Sequence, residues 1–242
     1  MKMKKTKIII FTVAVLLTIA LPALFVIQKT KAKNTPELPI QEEYKLPDVS
    51  VIVAKNFSNF SISSGNENKL IVKYSGKKTD SERPYKIHND SIFVEKSYNP
   101  ATPDKILELQ LKNINKLIVG DTATVHIYNI STTKLEISSK KSHVSFSRPP
   151  YDNSEHKIKN QIDSFYYFGR NGLLHMENTQ IEHAIIELRN SNLFMLDKLN
   201  IKGLHLQVKD SSSIIQFTSI RGNIQNMDLY IDNSSYCDIS KQ

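Results

Sequence analysis

The sequence predicts an all-β fold: a parallel β-helix with a period of about 20 residues per turn, behind an irregular N-terminal β cap and one transmembrane helix. Three observations predict it. An unbroken apolar span fills residues 8–27, apolar residues alternate with a period of two from Asp48 onward, and after residue 113 one apolar pattern recurs at a near-constant interval.

The apolar span is IIIFTVAVLLTIALPALFVI, preceded by MKMKKTK and followed by QKTKAKN. Twenty uncharged residues in a helix, at ~1.5 Å each, cross a hydrocarbon core of ~30 Å. A cleaved signal peptide is the competing reading. Its apolar region runs for about 7–15 residues before a small-x-small site, and Thr30-Lys31-Ala32 fits that site poorly. We therefore expect a single-pass signal-anchor at 8–27 in the inner membrane, a cytoplasmic tail at 1–7, and a C-terminal domain that is periplasmic or otherwise extracytoplasmic. Four lysines precede the span and three follow it, which favours this orientation by a small margin. So short a tail makes no folded module, and the outer domain carries the function. Residues 28–47, with Pro36, Pro39 and Pro47, read as a semi-rigid linker.

The formal net charge of +8 raises the question of nucleic acid, and its distribution answers it. Residues 1–33 hold seven lysines and no acid; removing them from the 32 Lys and Arg leaves 25, against 24 Asp and Glu. A nucleic-acid binder carries its excess on the folded surface, so nucleic acid is excluded as the partner.

Strand patterning begins with Val49, Val51 and Val53 and continues through Leu107, Leu109 and Leu111. Residues 48–112 fit no repeat and are expected to cap the first open edge. Beyond them the units begin at Leu117, Leu135, Phe165, Ile186, Leu206 and Leu229. Each opens on apolar-x-apolar and continues with a small residue two positions before a second apolar pair, as in Leu135-x-Ile137 then Ser142-x-Val144-x-Phe146. Ile130, Ile181, Ile201 and Ile224 each stand five positions ahead of a start. Three short strands per turn, each paired in parallel with its equivalent in the next turn, satisfy this period. Asn, Asp, Ser and Gly suit the corners between them, because they accept left-handed backbone angles or bond nearby amides. A β-sandwich also has closely spaced short strands, but it does not require a small residue at one fixed phase.

The step from Leu135 to Phe165 is the longest, and it holds SRPPYDNSEHKIKNQ at 147–161. Insertions in repeat proteins loop out and often fall on a functional face, so Arg148, Tyr151, Asp152 and His156 are candidate partner contacts. In the adjacent FYYFG, the template sends Phe165 and Tyr167 inward and leaves Tyr166 and Phe168 outside, as two further candidates. His126, His143, His175 and His205 alternate with inward positions and are expected on outer faces as a solvated ladder, with a His126–His143 metal pair as the competing use. Asp228, Asp232 and Asp238 are close in sequence, but corners and faces should separate them. The chain has no helical zinc motif, glycine-rich phosphate loop or G-x-S-x-G elbow. We assign no catalytic, cofactor-binding or metal residues. The single cysteine, Cys237, falls in phase with Val125, Val144, Leu174, Leu193 and Ile215, and is expected to be an inward, inert thiol.

The succession VSVIVAKNFSNFSISSGNENKLIVKY, PYKIHNDSIFVEK, LELQLKNINKLIVGDTATVHI and then LEISSKKSHVSF-type units resembles the GIN-domain family, described as auto-transporter adhesin heads and common in Bacteroidetes. The resemblance spans about residues 48–239. It implies a right-handed β-solenoid, an envelope location, and an adhesion-related, non-enzymatic role with an envelope protein or glycan as partner. The chain departs from many members by its apparent anchor in place of a lipobox cysteine and by the insertion after Phe146; it also shows no barrel segment, which argues against literal autotransport. Two other readings stand beside this one: a periplasmic accessory or stress-signalling partner of another inner-membrane protein, and a polysaccharide-processing β-helix enzyme.

Overall fold

In a computed structural model, the described residues are 40–55, 59–74, 85–94, 105–147, 159–196, 198–216 and 223–238. They are all strand, turn and loop. No helix among them is long and apolar enough to cross a membrane, and the span at 8–27 lies outside them.

Among the described residues, nineteen strands form two mixed sheets in which most pairs are parallel. In the repeat region each turn gives one long strand to a nine-stranded sheet and one short strand to a ten-stranded sheet. The long strands are β10 (Ser131–Lys140), β12 (Asn160–Arg170), β14 (Thr179–Arg189), β16 (Asn200–Lys209) and β18 (Asn223–Ile231). The short ones are β11 (His143–Phe146), β13 (Leu173–Met176), β15 (Asn192–Met195), β17 (Ser213–Gln216) and β19 (Tyr236–Asp238). Each pairs in parallel with its equivalent one turn on.

The expected three strands per turn are thus two, because the long strand turns a corner without ending. In β14, Ile181 and Ala184 are both buried while Glu182 and His183 between them point outward. The ladder skips Glu182 there, as it skips Asp163 in β12. Losing one beat of a period-two alternation moves the inward set to a new phase, which a continuous strand accommodates only by bending.

The core is two facing stacks of side chains. One runs Ile52, Leu117, Ile137, Tyr167, Ile186, Leu206 and Leu229 through the nine-stranded sheet. The other runs Phe60, Val125, Val144, Leu174, Leu193, Ile214 and Cys237. Each interior member is almost fully buried, a contribution of about 1.5–3 kcal/mol per large side chain. Cys237 keeps its inward phase but is only half-buried, because no further described turn covers it; the fully buried thiol expected from the sequence is corrected to that extent.

Three registers differ from the sequence pattern. Leu117 pairs with Ile137 rather than Leu135, so Val119 meets Ser139. Tyr167, not Phe165, pairs with Ile186, and Gly169 meets Leu188. The inward stack at this level is Ser139–Gly169, and a Cβ on Gly169 would lie 2.5 Å from Cε1 of Tyr167. One long aromatic ring fills the room of two inward positions, so those positions carry no apolar mark. Ile214 rather than Ile215 faces Leu193, and Ser212 is the buried serine of that turn.

The corners explain the third shift. The inward positions Ser139 and Val144, Gly169 and Leu174, and Leu188 and Leu193 lie five apart, with one left-handed residue in each corner: Lys141, Asn171 and Asn190. Val119 and Val125, and likewise Val208 and Ile214, lie six apart, with two left-handed residues each: Asp121 with Thr122, and Asp210 with Ser211. With only seven glycines in the chain, Asn and Asp take most left-handed positions, which their short polar side chains tolerate best.

The first turns do not stack in chain order. β2 (Val51–Ala54) and β3 (Asn59–Ser64) pair in parallel with β8 (Lys116–Gly120) and β9 (Thr124–Ile127), so they already belong to the coil. β6 (Ser91–Val94) and β7 (Lys105–Leu111) lie outside them, again in parallel. The cap is narrower than the sequence implied. It consists of antiparallel additions: β4 (Lys69–Tyr74) on β7, β1 (Ile40–Lys45) on β4, and β5 (Tyr85–His88) on β6. β1 falls within the stretch read as linker and belongs to the compact unit Ile40–Gln242. Asn68 ties its end down: its amide donates to Pro47 O and Asp48 Oδ1, and its oxygen accepts from the Lys112 amide.

Candidate functional site

On the nine-stranded sheet, alternation places one outward column through Lys116, Glu136, Tyr166, Ile185, His205 and Asp228. Its polar ends are paired: Lys116 Nζ donates to Glu136 Oε1 at 2.6 Å, and His205 Nδ1 lies 2.7 Å from Asp228 Oδ2. The next column holds Ser138, Phe168, Glu187, Gln207 and Tyr230. Phe168, Ile185 and Tyr230 are 43%, 40% and 56% exposed. Phe168 and Ile185 are diagonal neighbours on adjacent strands, whereas Tyr230 lies three strands on from Phe168 in the same column, with Glu187 and Gln207 between them.

The aromatic expectation holds in placement. Phe165 and Tyr167 are buried, Phe168 is exposed, and Tyr166 lies on the outer side beneath Lys134 Nζ, 5.3 Å from its ring centre. Arg148, Tyr151, Asp152 and His156 lie outside the described residues.

A third column was missed by the sequence reading. Lys140, Arg170, Arg189 and Lys209 stand in direct register. Arg189 donates to Glu187 Oε1 at 2.8 Å, and Lys209 Nζ donates to Gln207 Oε1 at 2.9 Å and lies over the Tyr230 ring. The signal was present: each unit ends in a basic residue just before its corner, as KK, RN, RN and KD. It becomes visible only after the units are aligned on Tyr167 and Ile186. At the corner itself Asn190 Nδ2 donates to Asn171 Oδ1 at 2.7 Å.

The ten-stranded sheet carries His126, His143 and His175, whereas His205 lies on the nine-stranded sheet. Ser61, His126, Ser145, His175 and Phe194 form one outward column, and His143 lies in the next. The solvated ladder expected here is not found: His126 is 8% exposed and His143 and His175 are half-buried. His126 packs edge-to-face on His143 at 6.5 Å, and its Nδ1 lies 3.5 Å from Ser147 Oγ. Burial lowers the pKa of His126 to about 4, with His143 and His175 as further causes. Burial also lowers His143 and His175. Ser145 Oγ lies 2.5 Å from Ser147 Oγ and 3.3 Å from His175 Nδ1. Beside this patch, Glu108 accepts from the Tyr128 hydroxyl at 2.8 Å and from Gln110.

The three late aspartates are separated as expected. Asp228 faces outward against His205, whereas Asp232 accepts corner bonds from the Asp210 and Ser234 amides. The backbone of Asp238 is in register with that of Ile215. Among the described residues no group of three or more His, Cys, Asp or Glu is arranged to hold a metal ion.

No family model matches this chain, and no curated protein matches it. Solved structures do. The chain is similar to a "putative adhesin" from Bacteroides fragilis NCTC 9343, at 11% identity over 82% of this chain and 95% of that one, with a TM-score of 0.44. It is similar to another from Parabacteroides merdae ATCC 43184, at 10% identity over 86% and 98%, TM-score 0.43. It is also similar to a "putative lipid binding protein" from Parabacteroides distasonis ATCC 8503, at 11% identity over 85% and 98%, TM-score 0.32. Likeness at this level says nothing of ligand or activity.

Proposed function

We propose that this chain is a non-enzymatic envelope protein of the GIN-domain kind. In this reading it is a right-handed β-solenoid over residues 48–242, held at the inner membrane by a signal-anchor at 8–27, and it presents an outer sheet face to a partner in an adhesion-related role. The observation that carries the reading is the exposure of Phe168, Ile185 and Tyr230 on one face of the nine-stranded sheet, with Phe168 and Ile185 as diagonal neighbours. Exposed apolar groups in neighbouring columns of a parallel stack form a firm, regular platform, and platforms of this kind mark interaction surfaces.

Fractionation and proteolysis test the location. The chain is expected in the membrane fraction, with residues 40–242 cut by added protease in spheroplasts. Protection of that domain would overturn the orientation. A photo-crosslinker placed at Phe168 tests the face: it is expected to capture an envelope component that a crosslinker at Lys86, on the edge strand β5, does not. Equal capture at both positions would remove the face from the proposal, and recovery of one stoichiometric inner-membrane protein would replace adhesion by an accessory role.

A further inference from the structure

Resting on that reading, we propose that the groove between Phe168 and the corner Asn171–Asn190 binds a carboxylate-bearing polysaccharide of the uronate class, with Arg170 as its principal anion contact. Two adjoining hollows define the groove. One, of about 280 Å³, is lined by Phe168, Gly169, Arg170, Glu187 and Arg189. The other, of about 470 Å³, is lined by Arg170, Asn171, Arg189, Asn190, Asp210 and Ser211. Arg170 and Arg189 are common to both.

The chemistry of the lining selects the ligand. Phe168 offers an exposed ring for the apolar C–H face of a sugar. A guanidinium fork matches a planar carboxylate with two parallel bonds. Arg189 is engaged by Glu187, whereas Arg170, on the same side two residues from Phe168, has no carboxylate partner among the described residues. Asn171 and Asn190 use one amide donor and one acceptor on each other and retain the rest for hydroxyl groups, alongside Asp210 and Ser211. A glycan needs this mixture of apolar ring, cation and amide; a plain polyanion site needs only cations.

The ladder sets the repeat. Like charges directly opposite one another across strands are destabilising, yet Lys140, Arg170, Arg189 and Lys209 occupy four successive strands. At about 4.8 Å per strand they span about 14 Å. A chain of uronic acids carries one charge per ring, and one pyranose advances by a comparable distance. Such a chain lying along the stack would bring one carboxylate to Arg170 and carry a neighbouring charge past Lys140, while Arg189 stays with Glu187. The Asp210 carboxylate, which lines the second hollow, can accept hydrogen bonds from sugar hydroxyls.

The test uses the full 242-residue chain in detergent micelles, with polygalacturonate oligomers as the probe in calorimetric titrations. Neutral galactan, dextran sulfate and single-stranded DNA are run alongside. Polygalacturonate is expected to bind, Arg170→Gln to weaken it at least tenfold, Phe168→Ala several-fold, and the off-site control Lys159→Gln less than twofold, with all variants melting like the parent. Absence of binding, or equal weakening by Arg170→Gln and Lys159→Gln, would overturn the site. Dextran sulfate or DNA binding as tightly with the same dependence on Arg170 would overturn the ligand class. None of these outcomes alters fractionation or crosslinking at Phe168, so the proposed function stands or falls separately.

Discussion

The backbone amide of Ser191 donates to Oγ of Ser212, 3.1 Å away and one turn further along the stack. The same bond runs from the Gly172 amide to Ser191 Oγ and from the Ser212 amide to Ser235 Oγ. Each serine thus satisfies a donor that the tight corner would otherwise leave buried and unpaired. Ser212→Ala removes the acceptor while Ser191 stays buried, and is expected to destabilise the domain by about 1–3 kcal/mol. Ser213→Ala, whose exposed hydroxyl donates to Asn192 Oδ1, should stay within about 0.5 kcal/mol. Urea unfolding of the two variants reads the contrast, and equal midpoints would refute the ladder.

The inward isoleucine of the fifth turn supports a sharper comparison. Ile214 is fully buried against Leu193, and its neighbour Ile215 lies on the outer side beside Phe194. Ile214→Ala is expected to cost about 2–5 kcal/mol and Ile215→Ala well under half of that. The reverse order would restore the register read from the apolar spacing alone.

Those two positions show where the sequence is legible and where it is not. Strand content, parallel stacking at a near-constant period, the inward phase of Phe165, Tyr167 and Cys237, and the small-residue corners follow from alternation and repeat length. Register fails where the core is filled by something other than an apolar residue at its own position, as at Ser139 and Gly169 beside the Tyr167 ring. It also fails at Ser211-Ser212-Ser213-Ile214-Ile215, where consecutive identical residues make two phases indistinguishable. The cationic column was hidden for the same reason, since charges align only when turns do. Burial of His126 was not legible either, because an outward phase specifies a direction and not what packs above it.

Acid should weaken the fold through that histidine. A folded pKa of about 4 against an ordinary value near 6.5 means that His126 stabilises the native state fully above pH 6.5. That contribution fades as the pH falls toward about 4, because the unfolded chain takes up the proton first. By pH 5, before most carboxylates titrate, about 2 kcal/mol should be lost. His143 and His175 act in the same direction. Urea midpoints at pH 7.5, 6 and 5 measure the slope, and His126→Gln should flatten much of it. An unchanged midpoint across this range would contradict the burial of the ring.

Lys141 holds a left-handed angle, φ 52°, at a corner where the next two turns use Asn171 and Asn190. An ordinary side chain loses roughly 1–2 kcal/mol in that conformation and Asn less. Lys141→Asn is therefore expected to raise stability by about 0.5–1 kcal/mol, read as an upward shift in the thermal midpoint. A lower midpoint would mean that the lysine has a contact that matters more than its backbone angle.

The displaced order of the first turns bears on how the chain reaches this structure. From β10 to β19 every new strand docks on one formed a single turn earlier, so ordering can propagate through short loop closures. By contrast, β2 must find β8 across the whole stretch from Ala54 to Lys116, with the segment that carries β4 to β7 then folding back around the outside. Closing the longer loop is entropically less favourable and topologically slower. The repeat region is thus the natural nucleus, the antiparallel cap its last act, and substitutions under β1 and β4 should accelerate unfolding while leaving the refolding rate nearly untouched.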